Sequence, residues 1–257
     1  QAVRHHLIDI MDVRETATVA DFQQRARAAI ADCRARGALA IVVGGSALYI
    51  RAIVDDFRFP GTDPVLRARL EADLAALGPK RLHQRLAGLD PAAAGQILPE
   101  NGRRIVRALE VVTLTGRPFT ASLPARRYAL PDVVQVGLDI DRPALDARIA
   151  DRVNQMWRAG LVAEVRQLAA AGLRDGLTAS RALGYRQVLS FLAGDIGEDE
   201  ALEMTITATR RFARRQDSWF RKDPRIVWLN HATPDLVDRV VDLVGSPVKA
   251  AAAEMPD

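Results

Sequence analysis

Cysteine is nearly missing from this chain. Cys33 stands alone among 257 residues, which excludes an internal disulfide framework and fits a reducing compartment. Lysine is almost as scarce, since 33 of the 36 basic residues are Arg. No apolar run spans a bilayer: the longest, Ala38 to Ile50, is too short and is broken by Gly44-Gly45. No signal peptide opens the chain, which begins with Gln1, and a cytoplasmic protein without a membrane partner is expected. His5-His6 have no second His or Cys cluster at ligand spacing, which argues against structural zinc. The pattern G-x-x-x-x-G-K-[ST] occurs nowhere, so these residues carry no phosphate loop of that type.

What is present suits one good core, or a core with a smaller inserted unit. Apolar residues make up 49% and charged residues 26%, ordinary values for a globular protein, and the net charge is a modest +4. Arg offers a planar fork that matches phosphate oxygens in pairs, where Lys offers a point charge. A GC-rich genome raises Arg and Ala together, so the argument rests on where the arginines fall. Ala38 to Val43 is a branched apolar run, as expected for a strand buried on both faces. Gly44-Gly45 ends it, and Ser46 to Ile53 reads as a helix. Upstream, Val19 to Arg36 has helical spacing and stops at Gly37. Helix, strand, tight turn, helix is the α/β pattern of a parallel sheet, with further strands expected at Val133 to Ile140 and Ile226 to Leu229. Between Asp56 and Pro131 helical patterns (Val65 to Leu77, Lys80 to Leu89, Arg103 to Leu114) alternate with Pro and Gly, the texture of an all-helical insertion. From Gly245 onward the tail is small and unpatterned and is expected to be disordered.

Several stretches could carry chemistry. Gly44-Gly45-Ser46 leaves a strand and opens a helix, where outward N–H groups and the helix dipole suit an anion; Ser46 as a simple N-cap is the commoner reading. In Asn101-Gly102-Arg103-Arg104-Ile105-Val106-Arg107, three arginines crowd the first turns of a helix striped by Ile105, Leu109 and Val112. The positive dipole end disfavours them by a few tenths of a kcal/mol each, ~0.3 at the surface, which makes a phosphate partner plausible. Arg107 has an alternative partner in Glu110, three residues on. Leu145, Ile149, Val153 and Met156 form another stripe beside Arg148 and Arg152, for which Asp146 and Asp151 are the plain partners. The helix from about Glu200 to Lys222 carries Arg210, Arg214 and Arg221 on one side and Arg211, Arg215 and Lys222 on the next. Phe212, Trp219 and Phe220 are interleaved with them, either as core packing or as surfaces for bases.

Arg181-Ala182-Leu183-Gly184-Tyr185-Arg186-Gln187 and the downstream Arg214-Arg215-Gln216-Asp217-Ser218-Trp219 resemble the C-terminal signatures of the tRNA dimethylallyltransferases. The likeness extends through His5 to Asp9, Val43 to Tyr49, Asp63-Pro64 with Arg67, Arg103 to Glu110, and Asp141 to Arg152, in that order. It implies an α/β fold with a P-loop-NTPase-like parallel sheet core, incomplete at its N-terminus, and an inserted all-helical domain. Residues 1–56 and 130–245 are then the discontinuous catalytic core, residues 57–129 a helical insertion that clasps the tRNA anticodon stem-loop, and residues 246–257 a disordered tail. The implied reaction moves a dimethylallyl group from dimethylallyl pyrophosphate to N6 of the adenosine 3′-adjacent to the anticodon, with Mg²⁺ and cationic side chains stabilising the departing pyrophosphate. The target base must first leave its stack.

Carried over position by position, the resemblance gives Ser46 and Arg152 to catalysis, Arg152 as the pyrophosphate contact. It gives Arg67, Arg103, Arg104, Ile105, Val106 and Arg107, with Arg181, Ala182, Leu183, Gly184, Tyr185 and Arg186, to tRNA. Arg210, Arg214 and Arg215 are further candidate phosphate contacts, and no metal ligand is assigned in this chain. The family's phosphate loop, with the Lys and Ser/Thr that hold pyrophosphate and Mg²⁺, has no counterpart here, nor does the segment that follows it with an acidic general base. A truncated, inactive, monomeric form with an unpaired sheet edge is therefore expected. Two alternatives stand beside it: a non-catalytic RNA-binding remnant, and a transferase acting on a free adenine nucleotide, against which the helical insertion argues.

Overall fold

The helix starts are written in short polar side chains. In the computed structural model, which describes residues 3–119 and 125–245, Thr18, Asp63, Asp90, Asn101 and Asp141 each accept a hydrogen bond from an N–H of the following first turn. Such caps satisfy donors that the helix itself leaves unpaired. Pro64, Pro91 and Pro143 sit in first turns, where a missing N–H is tolerated. The tail expected to be disordered lies outside the described residues.

In chain order the elements are α1 (Val19–Ala35), α2 (Ala47–Val54), α3 (Pro64–Leu89), α4 (Pro91–Gln96), α5 (Gly102–Thr115), β1 (Gln135–Asp139), α6 (Arg142–Arg158), α7 (Leu161–Ala170), α8 (Tyr185–Ala193), α9 (Glu198–Phe220), β2 (Ile226–Asn230) and α10 (Leu236–Gly245). Short 3-10 turns at Leu173–Asp175 and Ala179–Arg181 lie between α7 and α8. The chain divides into two compact units, one made of residues up to Asp55 and from Tyr128 on, the other of Asp56–Arg127. Among the described residues no helix is long and apolar enough to cross a membrane.

In the first unit β1 and β2 pair in parallel, Val136 opposite Val227 and Leu138 opposite Leu229. Parallel strands need a long crossover, and α6 to α9 supply it. Helices α6 and α8 pack on α9, and Leu161, Val165, Leu173, Val188 and Leu189 fill the core between α7 and α8. A second cluster, Ala26, Ile30, Ile53 and Val54, joins α1 to α2. Asp55 and Tyr128, the residues flanking the point where the second unit is inserted, form an antiparallel bridge.

The strand expected at Ala38 to Val43 is not formed. The segment is not hydrogen-bonded into a sheet with any described residue, and Ile41 and Val43 are 76% and 91% exposed. Its composition is that of a strand covered on both faces, but a strand exists only through its partner, and no described segment pairs with it.

In the second unit α3, α4 and α5 enclose Leu70, Leu82, Leu86, Ile97, Ile105 and Leu109. The two helices read from Val65 to Leu77 and from Lys80 to Leu89 are the two halves of α3, separated by a non-helical kink at Gly78 (φ 77°, ψ 164°), followed by Pro79. Only glycine adopts that backbone easily, and proline cannot donate the N–H that would bridge the break. Helix α5 is buried over a broader face than the Ile105, Leu109, Val112 stripe suggests, because Val106, Ala108 and Val111 are also inside.

Candidate functional site

Ser46 occupies the N-cap position of α2 but makes no side-chain cap hydrogen bond. The commoner reading of this serine, a plain cap, is therefore corrected: its hydroxyl is not committed to the helix. The turn before it is held from elsewhere. Gln216 Nε2 on α9 donates to the Gly45 carbonyl at 2.7 Å. A Cβ on residue 45 would lie 2.0 Å from that nitrogen, so a side chain there would displace the Gln216 amide from the turn.

Helix α6 also rests on α9. Its arginines Arg148 and Arg152 are exposed, and neither forms an ion pair with another described residue. Asp146, the plain partner expected for Arg148, is engaged by Arg142 Nη2 at 2.8 Å and Arg214 Nη2 at 3.8 Å. The Arg142 contact is an ion pair by distance without hydrogen-bond alignment, since Asp146 Oδ1 and Arg142 Nε both lack a hydrogen-bond partner. Arg210 donates through Nε and Nη2 to the Asp146 carbonyl, while its own carbonyl accepts from Arg142. Of the candidate phosphate contacts on α9, Arg210 thus has a packing role, whereas Arg214 and Arg215 are exposed. Arg221 lies 3.8 Å over the Trp228 ring and pairs with Asp217 and Asp139. Phe212 and Phe220 are half-buried, and Trp219 is 44% exposed.

The segment Arg181 to Arg186 turns into α8 at Gly184, whose φ of 89° and ψ of −54° suit glycine alone. Its N–H donates to Gln187 Oε1 at 3.0 Å. Arg181, Ala182, Leu183 and Arg186 are exposed around this turn. The Tyr185 hydroxyl donates to Glu164 Oε1. Burial, reinforced by the Glu164 carboxylate, pushes the phenol up to about 12, so at neutral pH Tyr185 is a donor and a ring, not a base.

In the second unit Arg67 of α3 and Arg107 of α5 converge on Glu110, which is 0% exposed. Arg107 Nη1 lies 2.6 Å from Oε2, while Arg67 bonds through Nη2 to Oε2 and through Nε to Oε1 at 3.2 Å. Arg107 also donates to the carbonyls of Pro60 and Gly61 at 2.7 and 3.3 Å. Burial pushes the Glu110 carboxyl up, but the hydrogen bonds and charges of Arg67 and Arg107 outweigh it and hold the group below its ordinary range. Arg103 and Arg104 are exposed on the first turn of α5. Ile105 and Val106, read with these arginines as tRNA contacts, have their side chains buried in the helical core.

Sequence reasoning missed a buried charge network in the first unit. Asp55, fully buried, takes Arg225 bidentately at 2.7 and 3.2 Å and Arg51 at 2.8 Å. Arg225 also pairs with Asp223 at 2.7 Å and lies 4.2 Å over the Tyr128 ring. The Arg51–Asp55 spacing of four was a visible signal; Arg225 lies 170 positions away and was not. Among the described residues no group of three His, Cys, Asp or Glu side chains could hold a metal ion.

A parallel β1–β2 pair joined by a helical crossover, with a helical unit inserted at Asp56–Arg127, makes a mixed α/β fold. The IPP transferase family model matches residues 1–223, and the chain belongs to that family. Over 246 residues it is 61% identical to the tRNA dimethylallyltransferase of Nocardioides sp., covering 96% of this chain and 79% of that protein. The tRNA dimethylallyltransferase of Thermobifida fusca is 62% identical over 244 residues, 95% of this chain and 76% of that protein. Among solved structures, the tRNA isopentenylpyrophosphate transferase of Bacillus halodurans matches with a TM-score of 0.62 at 35% identity, covering 94% of this chain and 76% of that one. A eukaryotic dimethylallyltransferase acting on tRNA matches with a TM-score of 0.76, 97% of this chain and 68% of that one; at 21% identity it shows the fold alone.

Proposed function

We propose that these residues serve transfer of a dimethylallyl group from its pyrophosphate to N6 of the adenosine 3′-adjacent to a tRNA anticodon. The N6 amine attacks the allylic carbon, the bond to the pyrophosphate oxygen breaks with its electron pair leaving on that oxygen, and the amine loses a proton. The Arg152 guanidinium fork meets the negative charge that develops on the leaving group. Ser46 offers an uncommitted hydroxyl to the same substrate. Arg67, Arg103, Arg104 and Arg107, with the Arg181 to Arg186 turn and the exposed Arg214 and Arg215, bind the phosphates and bases of the anticodon stem-loop.

One observation carries the reading: Ser46 leaves its helix uncapped and Arg152 makes no ion pair among the described residues, so both positions that the family resemblance gives to chemistry are available for a substrate. Prenyl transfer to an anticodon stem-loop, in a chimera that adds the phosphate-loop segment of a relative, tests it. Arg152→Ala should lower kcat by about 10²-fold with RNA affinity retained, on the scale of losing one charge-stabilising donor. Unchanged kcat contradicts the assignment.

A second reading concerns residues 1–257 by themselves. Because they contain no G-x-x-x-x-G-K-[ST] motif, alone they bind RNA without transferring the prenyl group. Turnover of dimethylallyl pyrophosphate by the purified 257-residue chain would refute that reading.

A further inference from the structure

Glu110 is a fully buried acid beside a group of arginines, and its surroundings explain why it is there. It is buried between α3 and α5 and receives two guanidiniums, where one would neutralise it. The Asp63 N–H donates to it as well, at 3.3 Å. The trio of Arg67, Arg107 and Glu110 therefore keeps a surplus positive charge. Both arginines reach solvent, with side-chain exposures of 37% and 24%. Arg67 uses Nε and Nη2 on the carboxylate, leaving Nη1 without a partner among the described residues. Arg103, four residues before Arg107 and so on the same side of α5, is exposed next to them.

An arginine free in solvent must lose much rotamer freedom when it grips a phosphate. An arginine already held on a buried anion loses less, so the affinity gained per contact is greater. We infer that Glu110 is a positioning residue for RNA: it fixes Arg67 and Arg107 as one preformed seat for a backbone phosphate of the anticodon stem-loop. This rests on the RNA-binding reading above, and it assigns a role to an acidic residue that never meets the RNA.

The sign of one substitution separates positioning from simple charge. Glu110→Gln removes a negative charge from a basic surface, so charge alone predicts tighter RNA binding. Positioning predicts weaker binding. Affinity of the full chain for an anticodon stem-loop hairpin is measured across a series of salt concentrations, with the thermal transition as a control for folding. Glu110→Gln is expected to bind roughly tenfold more weakly, with a salt slope shallower by about 1 to 2 as the two arginines leave their phosphate. Equal or tighter binding overturns the inference. If Glu110→Gln unfolds the helical unit, Glu110→Asp serves instead, because it keeps the charge and shortens the reach to Arg67 and Arg107. A several-fold loss of affinity supports the seat, and wild-type affinity overturns it. A wild-type chain that does not bind the hairpin overturns the RNA reading itself, before any variant is made.

Discussion

Gln216 and Gly45, 171 positions apart, meet through one hydrogen bond of 2.7 Å from the side-chain amide of α9 to the carbonyl just before Ser46. A Cβ at 45 would lie 2.0 Å from Gln216 Nε2, so any side chain there displaces the amide and breaks the contact. The position of the serine hydroxyl is thereby tied to the long arginine-bearing helix.

Gly45→Ala is accordingly expected to cost about 0.5–1.5 kcal/mol of stability, the net worth of the hydrogen bond lost as the Gln216 amide swings aside. In a Gln216→Ala background the same change should cost markedly less, with a coupling of roughly 0.5–1.5 kcal/mol in a double-mutant cycle by urea unfolding. Strict additivity would show that the two residues do not restrict one another.

Asp55 carries the largest stability prediction. It is fully buried and holds both Arg51 and Arg225, so Asp55→Ala leaves desolvated guanidiniums short of an anion. The expected loss is about 3–5 kcal/mol, as for breaking other buried pairs. Asp217→Ala, which removes an exposed partner of Arg221, should cost far less. Similar losses for the two would mean that the buried network contributes no more than a surface pair.

The pH dependence of the helical unit follows from Glu110. Burial raises its carboxyl pKa, Arg67 and Arg107 lower it more, and the net folded value is depressed. A depressed carboxylate contributes stability that is complete above its unfolded pKa of about 4.3 and is lost as pH falls through the lower folded value. The thermal midpoint should therefore drop on acidification from about pH 5 to about pH 3. Glu110→Gln should be less stable at neutral pH and should show a flatter profile over that window. Parallel profiles would remove Glu110 as a source of acid sensitivity.

Much of this architecture was legible from periodicity and from glycine stops. The stripe through Ile149 and Val153 located α6, Gly37 marked the end of α1, and the branched runs near residues 135 and 226 became the paired strands. The extended run Ala38 to Val43 was misread because pairing is a property of two segments, and only one is visible in a local pattern. Ile105 and Val106 were assigned to RNA with their arginine neighbours, although helical geometry turns them inward onto α3 and α4. The roles of Gln216 and Arg225 depend on contacts 171 and 170 positions apart, which no local spacing reveals. Arg107 and Glu110, three apart on one helix, could be paired in advance; Arg67, 43 positions from Glu110, could not.

The most direct test of the account is prenyl transfer from dimethylallyl pyrophosphate to an anticodon stem-loop, comparing the 257-residue chain with a chimera carrying a relative's phosphate-loop segment. The account predicts RNA binding by both, transfer by the chimera only, and loss of that transfer in Arg152→Ala. A chimera that binds the stem-loop yet transfers nothing, or an Arg152→Ala chimera that transfers at the parent rate, would contradict it.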